Sequence, residues 1–134
     1  MKKLLLILTT VAIALALGAC ATGGGDAGGI TEIPDPPPIY ASGEIVFRYY
    51  GEADTVVLAG SFTGWDPESP DYTMEVFDGV HEIVVWLDPG IYQYKYVIDG
   101  EWTQPTEILN MIEPIPSGSA DDGFGGLNAV IEIE

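Results

Sequence analysis

Basic side chains are nearly absent. The chain has 134 residues, with four Lys and Arg against 21 Asp and Glu, a formal net charge of −17. Lys2 and Lys3 open it, so beyond them only Arg48 and Lys95 are basic. Such a surface repels phosphate backbones and anionic lipid headgroups, which argues against nucleic acid as a partner. A neutral ligand would feel little of this field. Cysteine and histidine are equally scarce, with Cys20 and His81 the only ones. A lone thiol forms no internal disulfide, which argues against a stapled secreted scaffold. A lone histidine at the start of a strand-like run reads as a core or edge residue, and no metal or other cofactor is expected. The sequence also lacks a nucleophile motif, a phosphate loop and a redox pair.

What is present begins with "MKK" and an apolar run from Leu4 to Leu17, interrupted only by Thr9 and Thr10. It falls short of the ~20 residues that suit a membrane-spanning helix, and a small-residue site follows it. That site, "LGAC" at Leu17 to Cys20, resembles the bacterial lipobox, which implies a signal peptide over 1–19 and lipid modification of Cys20. Three acyl chains, at ~0.8 kcal/mol per buried methylene, would make a lasting membrane anchor. Ala21 follows the cysteine where an aspartate retains some lipoproteins at the inner membrane, so the expected location is the bacterial cell envelope, on the outer membrane. Residues 20–42 then run from glycine-rich "ATGGGDAGG" to proline-rich "PDPPP" and read as a tether, stiffer at its end.

High net charge often means disorder, but 47% hydrophobic residues, many of them β-branched or aromatic, argue for a folded core. Short runs follow the tether: "GEIVFRYY", "DTVVLAG", "YTMEVF", "HEIVVWL", "IYQYKYVID" and "LNAVIEIE". Turn signals separate them ("GEAD", "DPESPD", "DG", "DPG"), and no segment holds a helical period. The pattern predicts one all-β domain over 43–134, an antiparallel β-sandwich of about seven strands. Alternation assigns faces. His81, Ile83, Val85 and Leu87 point one way, Glu82, Val84 and Trp86 the other. Tyr92, Tyr94, Tyr96 and Ile98 form a core face, which turns Gln93, Lys95 and Val97 outward.

Three separated blocks, "AGSFTGWDP", "LDPGIYQYKYVIDGEW" and "GGLNAVIEI", resemble the glycogen-binding module of AMP-activated protein kinase beta subunits. They are also similar to the N-terminal modules of glycogen branching and debranching enzymes. The resemblance covers Gly43 to Glu134 and implies an immunoglobulin-like (early-set) fold. It further implies that Trp65, Lys95, Trp102 and Asn128, with Phe124 before the asparagine, cup a turn of α-1,4-glucan. The chemistry stands independently of the family. A glucosyl ring has an apolar C–H face for indole rings and a belt of hydroxyls for Lys and Asn. Trp86 matches no ligand position of the family and reads as packing at a partly exposed edge. The "DD" at Asp121 and Asp122 reads as a solvated loop. The stretch 103–127 is longer than in kinase-subunit modules; extending the site, covering it and serving another partner are all open. The resemblance takes in the module alone, so kinase regulation is not implied.

In the enzymes carrying this module, catalysis resides in a barrel of ~250 residues, for which this sequence has no counterpart. The expected function is therefore a lipid-anchored, non-catalytic binder of α-1,4-glucans such as glycogen, starch or maltodextrins. A glucan-active enzyme or an envelope protein is a further possible partner. The alternative is an immunoglobulin-like envelope adaptor that binds a protein through the long loop or an edge strand.

Overall fold

The computed structural model describes residues 31–134. The expected signal peptide over 1–19, Cys20 and the glycine-rich start of the expected tether lie outside the described residues. Nine strands follow in chain order: β1 (Gly43–Tyr49), β2 (Val56–Gly60), β3 (Glu75–Phe77), β4 (Val80–Leu87) and β5 (Gly90–Ile98). Then come β6 (Glu101–Thr103), β7 (Ile112–Glu113), β8 (Gly118–Asp121) and β9 (Leu127–Ile133). Two sheets face each other. One has the order β3-β4-β1-β7; the other runs β2-β5-β9-β8, with β6 also on β5. Every strand pair is antiparallel.

The six apolar runs became β1 to β5 and β9. The three additional strands are short and lack apolar alternation ("EWT", "IE", "GSAD"), so their pairing comes from tertiary position. Two of the turns behave as their Asp-Gly sequences dictate. Asp78–Gly79 and Asp99–Gly100 have φ of 52° and 80°, and 50° and 84°, the left-handed pair that closes a two-residue hairpin.

The predicted faces hold. Tyr94 and Tyr96 are fully buried, together with Leu58 and Ile131 from the neighbouring strands and Phe47 from the opposite sheet. Phe47 and Tyr94 meet edge-on across the sheets, with ring centroids 5.3 Å apart, a geometry aromatic pairs favour. His81 lies in the same interior, its Nε2 3.1 Å from the Ala53 carbonyl. Val84 and Trp86 point away from it. Trp86 is 68% exposed and donates its indole N–H to Asp88, so it lies on the outward side its parity gave and is more open than packing at a partly exposed edge. Its place in the alternation of β4 sends it to solvent, with Val84.

The stretch 103–127 is structural. The second of its two short 3-10 turns buries Leu109 in the core, and Ile112 follows it there. It pairs with β1 as β7 in the first sheet, then crosses to lie beside β9 as β8 in the second.

Along one edge, β5 has two partners. β9 pairs with its first half as far as Tyr94, and β6 with its second half from Tyr96. Lys95 sits at the fork between them. Its alternation directs it to the outer face of the second sheet.

Candidate functional site

The outer face of the second sheet builds its own small apolar layer. Val57 and Ala59 of β2 and Val97 of β5 are buried there, with Trp65 and Tyr72 packed against them. Trp65 arrives through a tight turn at the end of β2. Gly60 closes it, since a Cβ there would sit 2.6 Å from the Gln93 carbonyl oxygen. The Gly60 amide donates to Thr63 Oγ1 at 2.9 Å, and the Trp65 amide donates to the Gly60 carbonyl at 3.1 Å. Gly64 and then Trp65 itself take positive φ, 76° and 61°. A bulky residue pays about 1–3 kcal/mol for that conformation, and such strain gathers at binding sites.

Trp102 stands on β6, opposite Val97. It is half exposed, and its ring centroid lies 6.5 Å from that of Trp65 with the planes tilted by 43°. Asn128, at the start of β9, is buried and donates its amide to Gln93 Oε1 at 2.9 Å. Phe124 projects from the β8–β9 turn and is 93% exposed.

These side chains surround one concavity of about 840 Å³, a size typical of small-molecule and oligomer sites. Trp65, Lys95, Trp102, Phe124 and Asn128, five residues scattered over 64 positions of sequence, all line it. So do Ser61, Ile91, Gln93, Asp121 and Asp122, which sequence reasoning had not assigned to it. Gln93 and Ile91 were within reach, because they share the parity of Lys95 on β5.

Asp122 was not, and its place corrects the solvated-loop reading. Its Oδ2 accepts from Lys95 Nζ at 2.5 Å, with only 7% of its side chain exposed and 12% of that of the lysine. Its Oδ1 accepts from the amides of Phe124 and Gly126, at 2.7 and 3.0 Å. The Lys95 ammonium, followed by those two amides, lowers the Asp122 carboxyl from 3.8 to about 2. The lysine that sequence reading assigned to a sugar hydroxyl thus points out of the core as expected, and donates to a carboxylate. The long stretch before β9 extends the concavity through Asp121, Asp122 and Phe124.

A two-sheet sandwich with an aromatic concavity on one outer face defines the class of β-sandwich recognition modules. Within it, a family model described as the glycogen recognition site of AMP-activated protein kinase matches residues 44–134. The chain belongs to that family. It is 29% identical over 103 residues to the 5'-AMP-activated protein kinase subunit beta-1 of Homo sapiens, a match covering 77% of this chain and 33% of the relative. It is 34% identical over 64 residues to Protein PTST, chloroplastic, of Arabidopsis thaliana, covering 46% of this chain and 22% of the relative. The chain spans about a third of the length of the kinase subunit it matches.

Proposed function

We propose that the protein is a non-catalytic module that binds neutral α-1,4-glucan chains and is held in the bacterial envelope by lipid on Cys20. The observation that carries the reading is the pairing of Trp65 and Trp102 over one concavity, with polar Gln93 and Asn128 in its lining. Two tilted indoles offer flat apolar area to the C–H faces of successive glucose units. The amides offer hydrogen bonds to hydroxyls. Membership of a glycogen-recognition family supports the same ligand class.

The test is an affinity gel containing glycogen, run with and without maltoheptaose. Retardation relieved by the free oligosaccharide supports glucan binding; migration unaffected by glycogen rejects it. The anchor rests on "LGAC" at Leu17 to Cys20, and the same motif with Ala21 supports the outer membrane. Cys20→Ser should leave an unprocessed precursor that takes up no labelled fatty acid, and continued labelling would reject the anchor.

A further inference from the structure

We propose that Lys95 is a positioning residue: it clamps Asp122, and through Asp122 it holds the turn that presents Phe124 to the ligand. The inference takes its effect on affinity from the glucan reading; the effect on the turn stands without it.

Phe124 needs such a clamp. At 93% exposed, its ring has almost no packing of its own, and the flanking Gly123 and Gly125 have φ of 83° and 90°. Glycines add backbone freedom, so the ring is placed only through the hydrogen bonds of its turn, which include the Gly123 amide to Asp121 Oδ1 at 2.6 Å and the Asp122 amide to the Gly126 carbonyl at 3.1 Å. The order comes from Asp122. One carboxylate oxygen gathers the Phe124 and Gly126 amides; the other binds the Lys95 ammonium. Gly126 leaves the necessary room, because a Cβ there would come within 2.8 Å of Asp122 Oδ2. Gln104 adds a second tie, accepting from the Leu127 amide at 2.7 Å.

The lysine itself stands on the central strand, paired to Ala59 on one side and at the fork between β9 and β6 on the other. It therefore connects a strand paired on both sides to the most exposed aromatic of the site. With 12% of its side chain exposed, it is enclosed by the group it holds. Removing either partner of an enclosed pair leaves the other charge uncompensated, so the turn must move to solvate it.

Two readouts on the full-length protein in detergent micelles test the clamp. The first is the amide order parameter of Phe124 and Gly125 by ¹⁵N relaxation. It should be near the rigid value of ~0.85 in the wild type and fall below ~0.6 in Lys95→Met and in Asp122→Asn. Lys95→Arg, which keeps the cation, should restore order. Unchanged order in the Met and Asn variants overturns the proposal, and if Lys95→Met fails to fold, the isosteric Asp122→Asn decides alone.

The second readout is maltoheptaose affinity by calorimetry. Lys95→Met and Asp122→Asn should each cost several-fold, the double variant no more than the worse single one. In a Phe124→Ala background, Lys95→Met should cost nothing further. Direct donation from Lys95 to sugar gives the opposite pattern: Asp122→Asn binds as well as wild type or better, and Lys95→Met costs the same factor with or without Phe124. That pattern overturns the clamp. A wild type that binds no maltoheptaose rejects the glucan reading, and the relaxation measurement then still decides the clamp.

Discussion

Tyr94 and Lys95 are adjacent in sequence and serve opposite sides of the same strand. Tyr94 is fully buried, 5.3 Å from Phe47 in the core, whereas Lys95 lines the concavity on the outer face. Substitutions on the two faces of this sheet should therefore separate stability from binding. Tyr94→Ala opens a core cavity and should cost about 3–5 kcal/mol of stability, read as a large drop in Tm. Trp102→Ala removes a half-exposed indole and should leave the fold intact. Its maltoheptaose affinity should fall by ~1.5–3 kcal/mol, roughly ten- to a hundredfold by calorimetry. A Trp102→Ala protein that unfolds would make this ring core and remove the basis of the site.

Gly126→Ala should act on the site from outside it. The new Cβ would press within 2.8 Å of Asp122 Oδ2 and 3.4 Å of Gln104, so the carboxylate must shift. Glucan affinity is expected to fall several-fold. Gly118→Ala in the same hairpin, where nothing lies within 4 Å, is the control and should bind like wild type. Equal affinities for the two variants would show that the position of Asp122 is immaterial to binding.

The pair also carries a pH signature. The Asp122 carboxyl is depressed from 3.8 to about 2, so its stabilisation is fully present above pH ~4 and is lost as pH falls through about 2. Asp122→Asn should accordingly be less stable than wild type at pH 6. The difference in Tm should shrink as both are taken from pH 4 towards pH 2. A constant difference across that range would mean that the carboxylate charge is not what holds the turn.

Ionic strength separates a neutral ligand from a charged one. The chain carries a formal net charge of −17, so association with a basic protein should weaken steeply as salt is added. Maltoheptaose affinity should instead change by less than about twofold between low and physiological ionic strength. Steep dependence in the calorimeter would favour the envelope adaptor.

Much of this molecule was legible from strand parity. Period-two alternation placed Tyr94 inside and Lys95 outside, and the Asp-Gly pairs marked two hairpins that the structure contains. Parity equally implied that Gln93 and Ile91 share the site with Lys95. Asp122 was illegible for a physical reason. Its position depends on the chain leaving β6, pairing with β1 in the other sheet as β7 and returning as β8. None of that is encoded in a local period. Residues 112–113 and 118–121 are too short and too polar to announce themselves as strands, and they take their form from the edges they meet. Parity also turned Trp86 outward, and its 68% exposure is simply greater than the packing expected of an apolar ring.

The fork in the second sheet has a consequence for discrimination among sugars. Lys95 is the only cation lining the concavity, and Asp122 neutralises it, while the second carboxylate at its wall, Asp121, has no such partner among the described ion pairs. A phosphoryl or uronate substituent entering there would meet a surface with no positive charge to spare. On the glucan reading, the site should favour unmodified chains over anionically substituted ones, so a phosphorylated maltodextrin should lose to its plain counterpart in direct competition. On that reading, the ion pair that occupies the one cation of the site would act as a filter on the charge of a polysaccharide.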